Sequence, residues 1–468
     1  MRGSEHRRQP GPGAARSRRG RRPRQRHAVA GVAVRVGGKA GMTGVSWGCA
    51  ALLCWHLGFG GALPREVRPE SVVSYVAGRA QVRVLVFGGA SQVRVSAGPA
   101  LAIEDAASGS RLAMIEQGGA ATVQACGDRV SLQTGRVRLV RDALILRPRD
   151  GEGAAVLSGR GGWGARGSYP GALELSARGN RLSVVESVGL EDYVAGVVAA
   201  EMPADFPLEA MKAQAIAART YALFHLGDHR VDGADLCARV HCQAYRGAPP
   251  AGSRAARASR ETAGQVLAWN GVLVDALYHS ACGGATARAW EVRQGKILPY
   301  LRGGSDTDLW GAAYCARGHN VGWTKHFSFA EASRLVAANL PTVRADPSLS
   351  PGPLEWLRPI AGRPGGRVQW LEVKTREGAF LVRGDSIRWL FGSGFAGPEG
   401  LRSTAFSLSV EEDAAGRPRA FTFEGKGHGH GIGLCQWGAR GRAEAGQSAA
   451  EILAAYYPGA EIVSLGEP

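Results

Sequence analysis

Between about residues 70 and 190, apolar and polar positions alternate in short runs. AQVRVLVF puts Val82, Val84 and Val86 on one side; QVRVSAG, RVRLVRDALILRP, ALELSA and NRLSVVES repeat the habit with Gly-rich turns between them. A period of two predicts half-buried strands. Near Gly189 the period changes. In LEDYVAGVVAAEMP, Val194, Val197, Val198 and Glu201 recur at i, i+3, i+4 and i+7, which is helical spacing. Pro203 disfavours helical geometry at Met202, so this helix is expected to stop there. FPLEAMKAQAIAARTYALFHL predicts a second, Ala-rich helix of about 18 residues from Pro207, with Asp205 as a candidate cap. Strand-like GVLVDALYHSA follows, then mixed structure, then a last helix around AAEILAAYYPG. The predicted class is α+β: a β-rich N-terminal domain over 64–175, then a mixed α/β domain over 176–468.

Composition changes this picture mainly at the N-terminus. With 45% apolar and 21% charged residues the 468-residue chain is ordinary for a globular protein of two or three domains. The net charge of +17 is uneven, because residues 1–41 hold eleven Arg and one Lys against Glu5 alone. That stretch is poor in large apolar side chains and is expected to be a disordered tail. The remaining body is weakly basic, so nucleic-acid binding does not follow from the charge, whereas an anionic polymer such as a cell wall suits it. Residues 42–63, TGVSWGCAALLCWHLGFGGA after Met42, form an apolar run ending in small residues, as a secretory signal or N-terminal membrane anchor does. Met42 is a candidate true start. The chain is thus expected to be exported, to the periplasm or cell envelope. There, disulfides become an option for the later cysteines.

Four groups of residues carry candidate chemistry. Glu201 extends an apolar helical stripe and sits at the break before Pro203. A carboxyl partly desolvated there gains pKa and can donate a proton near neutral pH, as glycosidic cleavage requires; the bland alternative is a solvated or capping helix-end glutamate. Lys212 and Arg219 lie seven apart on the second helix, able to bind an anionic or hydroxyl-rich ligand or to orient Glu201, unless they line a solvated face; Gln214 is a weaker candidate of the same kind. GKGHGHGIGLCQWGARG lacks the Lys-Ser/Thr of a phosphate loop. Its His428, His430, Gln436 and Trp437 on closely approaching backbone suit a glycan cleft, with a tight structural turn as the alternative. Last, His229, Cys237, His241 and Cys242, with His279 and Cys282 further on, read equally as zinc ligands or as disulfides such as Cys237–Cys242 and Cys282–Cys315. No cofactor is required by the proposed chemistry. A zinc hydrolase is disfavoured, since no HExxH motif is present.

Three segments together resemble the stage II sporulation protein D family, also called the SpoIID/LytB domain: LEDYVAGVVAAEMPADFPLEAMKAQAIAARTYAL, then YHSACGGATARAWEV with PYLRGGSD, then GHGHGIGLCQWGARGRAEAGQSAAEILAAYYPG. They fit one catalytic domain over about 175–468. The resemblance implies a lytic transglycosylase acting on peptidoglycan glycan strands stripped of their peptides, with the AAEMP glutamate, Glu201, as the catalytic residue. The family's helix lysine and arginine fall on Lys212 and Arg219. A zinc-binding segment described for some members falls on His229, Cys237, His241 and Cys242, as a structural zinc. Some proteins with this domain are described as amidase enhancers, which implies the alternative of a non-cutting glycan binder that recruits a cell-wall amidase. The Arg-rich tail and Cys435, where Ser is commoner, depart from the family.

Overall fold

The computed structural model describes residues 81–149, 153–164, 166–293, 297–317, 321–361, 366–392 and 400–465. The expected tail (1–41) and signal or anchor (42–63) lie outside them. Among the described residues no helix is long and apolar enough to cross a membrane.

The alternating region folds as two facing antiparallel sheets. One runs in the order 163–164, 81–90, 181–189, 172–178, 143–148, 101–105, 111–115; the other in the order 167–169, 155–160, 92–97, 120–126, 129–134, 137–141. Val82, Val84 and Val86 are all fully buried, as the alternation predicts, and pack with Val93, Val95, Leu132 and Leu157 between the sheets. The expected boundary at 175/176 is corrected: it would cut strand Ala172–Arg178. The architecture instead changes at Gly189, where strand Arg181–Gly189 passes directly into helix α1, Leu190–Glu201.

α1 buries Tyr193, Val194, Val197 and Val198 against the sandwich core and carries Glu191 and Asp192 in its first turn, where they favour the helix dipole. It ends as predicted: Met202 is extended at φ −120°, ψ 140° ahead of Pro203. α2, Leu208–Phe224, has 17 residues. Asp205 does not cap it; the N-cap is Pro207, which lacks a side-chain acceptor, and the Asp205 carbonyl instead takes a hydrogen bond from Arg254 Nη1. α3, Arg254–Glu261, is capped by Ser253 Oγ and packs on both α1 and α2.

GVLVDALYHSA yields only the two-residue strands Val272–Leu273 and Tyr278–His279. Between them the Asp275 amide donates to Tyr300 Oη and its carboxylate pairs with His225, partners a continuous ladder would exclude. A second core gathers Ile216, Leu267, Leu277, Leu434 and Leu453. A third, of Trp323, Phe327, Leu371, Phe421 and Phe423, is built around helix α4, Phe329–Val343, and two three-stranded sheets. The chain then returns to the second core through strand Leu434–Cys435 and helices α5, Gln436–Glu444, and α6, Ala449–Tyr456. Strand Leu434–Cys435 runs parallel to Tyr278–His279.

Candidate active site

Because α1 stops at Glu201, the last side chain of its buried stripe reaches past the helix end into the seam between the first two cores. The Ala244 amide donates to Glu201 Oε1 at 2.7 Å, and Tyr278 Oη lies 3.4 Å from the same oxygen, its single proton shared with Gln243 Oε1 at 2.9 Å. Gln436 Nε2 donates to Oε2 at 3.2 Å. Surrounding protein raises the Glu201 pKa above the usual carboxylate range, and these three neutral donors pull it back only in part. Glu201 is half-buried, so its carboxyl stays within reach of a ligand. Among the described residues no Lys or Arg pairs with Glu201, and no Asp or Glu contributes to the shift.

Of the other expected residues, Gln436 touches Glu201, and Trp437 beside it packs edge-on to Phe206 at 4.9 Å between centroids. Arg440 lies over both rings, 5.2 Å from Trp437 and 5.3 Å from Phe206. Phe206 is fully buried, whereas Trp437 and Arg440 are half-buried and directly follow Gln436, where they suit the face of a sugar. The glycine–histidine segment is a chain of left-handed glycines, with φ of 81°, 100°, 82° and 68° at Gly427, Gly429, Gly431 and Gly433. His428 is exposed. His430 is half-buried; its Nδ1 accepts from the Ile432 amide, while His279 Nδ1 faces the Ile432 carbonyl at 3.1 Å. Burial lowers the pKa of both histidines, so both are neutral and hold the loop.

Lys212, Arg219 and Gln214 do not join this group. Lys212 Nζ pairs with Glu209 at 2.9 Å and Glu261 at 2.6 Å. Arg219 has no exposed surface; it pairs with Glu191 through two nitrogens and donates to the Gln265 and Ser259 carbonyls, locking α2 to α1 and α3. Gln214 is fully buried, with no hydrogen-bond partner for its amide among the described residues, and so offers a sugar no surface. The corrected reading is that one cation bridges carboxylates and the other clamps helices. The residues missed from sequence were Ala244, which acts through its backbone, and Tyr278, which the YHSACGG motif contained without any periodic signal to single it out.

His229, Cys237, His241 and Cys242 do converge, with all four donor atoms within 4.8 Å of one another. The separations are 3.4 Å for His229 Nε2 to His241 Nδ1, 3.6 Å for Cys237 Sγ to Cys242 Sγ, and 3.4 Å and 3.9 Å from His241 Nδ1 to the two sulfurs. Tetrahedral zinc bonds of about 2.1 Å to nitrogen and 2.3 Å to sulfur give ligand–ligand edges of roughly 3.4–3.8 Å. Asp232 holds the second nitrogen of His229 at 2.8 Å, as carboxylates orient metal-bound imidazoles. The set therefore fits a closed structural zinc. A recess lined by Trp163, Asp232, Arg239 and His241 opens beside this cluster and does not include Glu201.

Residues 178–269, which contain Glu201, Arg219 and the whole Cys/His set, match the SpoIID family, described as stage II sporulation protein; residues 317–433 match a domain of unknown function and coincide with the third core. The chain is 28% identical over 344 residues to an uncharacterized protein of Brachyspira hyodysenteriae, covering 73% of this chain and 82% of that one. It is 29% identical over 311 residues to the amidase enhancer of Bacillus subtilis, 58% of this chain but only 40% of that protein's length. It is 27% identical over 294 residues to stage II sporulation protein D of the same organism, 59% of this chain and 75% of that one. The matched segment, these relatives and the α+β architecture agree in supporting the assignment of residues 178–269 to the SpoIID family.

Proposed function

We propose that the protein is an exported lytic transglycosylase that cleaves the β-1,4 bond between N-acetylmuramic acid and N-acetylglucosamine in peptide-free glycan strands. The observation that carries this reading is the Glu201 carboxyl, raised by burial and held by three neutral donors. The shorter contact, from the Ala244 amide, is to Oε1, so the proton is placed on Oε2, whose remaining lone pair still accepts from Gln436 Nε2. Protonated Glu201 gives that proton to the departing glycosidic oxygen. The resulting carboxylate takes the proton of the muramic C6 hydroxyl, which attacks C1 and closes a 1,6-anhydro ring. The nucleophile belongs to the substrate, so the paired carboxylates of ordinary glycosidases are not needed. Trp437 and Arg440 would support the sugar face. A zinc on His229, Cys237, His241 and Cys242 would act structurally, fixing the loop that presents the Ala244 amide.

A second reading, a glycan binder that enhances a cell-wall amidase, is favoured by the relative of that name. Digestion of peptide-free peptidoglycan separates the two. Wild type is expected to produce 1,6-anhydro ends by mass spectrometry, and Glu201→Gln to bind the strands without producing them. Unchanged strands with folded wild type would sink the transglycosylase reading.

A further inference from the structure

The described residues contain a second convergence of metal donors, which neither motif spacing nor the mechanism above uses. Cys282, Cys315 and Cys435 are buried, and their sulfurs all lie within 4.8 Å of one another. Cys282 Sγ is 3.6 Å from Cys315 Sγ and 3.1 Å from Asp306 Oδ2. Tetrahedral zinc gives sulfur–sulfur edges of about 3.8 Å and sulfur–oxygen edges of about 3.5 Å.

The surroundings favour thiolates over a disulfide. Backbone amides point at the sulfurs: Cys282 N–H and Gly438 N–H at Cys435 Sγ, 3.1 Å and 3.2 Å, and Gly284 N–H at Cys282 Sγ, 3.3 Å. Charge-assisted bonds of this kind stabilise an anionic sulfur, and the sulfur of a disulfide is a poor acceptor. The carboxylate of Asp306 is held by Tyr456 Oη at 3.0 Å and by Arg442 at 2.9 Å. Arg367 is also buried, donates to the Cys282 carbonyl at 3.1 Å, and leaves Nη1 with no hydrogen-bond partner. With three neutral thiols, Arg442 balances Asp306 and Arg367 is a buried cation without a carboxylate in ion-pair contact among the described residues. A divalent cation on three thiolates carries −1, and with the neighbouring Asp306 the buried group sums to −2, which the two guanidiniums neutralise. Buried charge is tolerated only with such compensation.

We infer that Cys282, Cys315 and Cys435 form a second, structural zinc site, with the Asp306 carboxylate beside Cys282 rather than within the converging set. Its placement gives it a purpose. Cys315 and Cys435 flank residues 317–433, the inserted domain with its own core. One ion would clamp both ends of that insertion to Cys282, in the loop that follows strand Tyr278–His279. This inference does not depend on the enzymatic reading.

The test is zinc content of the full chain, purified under reducing conditions, by mass spectrometry. Cys435→Ser is expected to lower zinc by one ion per chain, in the wild-type background and equally in Cys242→Ser, where the His/Cys site is disabled. Cobalt loaded into Cys242→Ser supplies a check on a protein with this site intact: it is expected to give the charge-transfer absorption of tetrahedral thiolate coordination. Zinc content unaffected by Cys435→Ser, no such cobalt band, or a Cys282–Cys315 disulfide in the metal-replete protein would each overturn the inference.

Discussion

Glu186 offers a direct measure of what burying a carboxyl does in this fold. It sits in strand Arg181–Gly189 with no exposed surface, accepting 2.8 Å hydrogen bonds from the Gly171 amide and from Tyr245 Oη. Loss of hydration outweighs those two donors and pushes its pKa from 4.5 up to about 7. At about 1.4 kcal/mol per pH unit, holding the ionised form in the fold costs about 3 kcal/mol relative to the unfolded chain. The sign follows from the raised value. Glu186 imposes no penalty below pH 4.5, where both states are protonated. Stability then falls as pH rises and is fully reduced once the pH passes about 7. Glu186→Gln keeps an acceptor for the Gly171 amide and cannot ionise. In urea unfolding, the variant is expected to match wild type within about 1 kcal/mol at pH 5 and to exceed it by about 3 kcal/mol at pH 8.5. All other titrations cancel in the wild-type-minus-variant difference. A difference that is the same at both pH values would refute the burial argument, and would weaken the same argument for Glu201.

Three further expectations follow from named contacts. Glu191→Gln removes the carboxylate from fully buried Arg219 and is expected to cost about 3–5 kcal/mol in chemical denaturation, while glycan binding by the folded fraction stays unchanged if Arg219 is a clamp rather than a ligand. Tyr278→Phe takes a donor from Glu201 and is expected to raise that carboxyl further, moving the basic limb of the pH–rate profile to higher pH with a rate loss of roughly tenfold or less. Gly433→Ala places a Cβ 1.9 Å from the Leu277 carbonyl oxygen at a φ of +68°; a marked drop in melting temperature is expected, because both the clash and the left-handed backbone oppose it.

What could be read from the sequence divides by range. The strands with Val82, Val84 and Val86, and the helix from Leu190 to the break before Pro203, were legible because local periodicity and proline sterics alone dictate them. The place of Glu201 at the end of that apolar stripe was legible for the same reason, whereas its role comes from the family resemblance and the proposal above. Arg219 was misread because spacing gives the face of a residue and not its partner; Glu191, 28 positions away, supplies that partner only once α1 and α2 pack. Capping of α2 by Asp205 failed because a Pro already preset the first turn. The third core carried no motif at all, so the span after residue 176 read as one unit. Cys282 and Cys315 were paired from the sequence only as a disulfide option, and the part of Cys435 was invisible because it stands 153 residues from Cys282.

The same long-range contacts explain how Glu201 gets three aligned donors from elements too short to hold them. Ala244 lies in a loop, and Tyr278 and Gln436 stand at or just after two-residue strands. Two-residue ladders cannot fix a side chain to hydrogen-bonding precision by backbone pairing alone. Each donor, however, is close in sequence to a cysteine that converges elsewhere: Ala244 is two residues after Cys242, Tyr278 four before Cys282, and Gln436 directly follows Cys435. The two cysteine clusters thus do for the acid's hydrogen-bond partners what long strands do in larger sheets. Under the proposed function, metal held by these clusters would remove the conformational freedom of the segments before a substrate arrives, so that a protonated Glu201 would meet a glycosidic oxygen in a site that needs no further ordering.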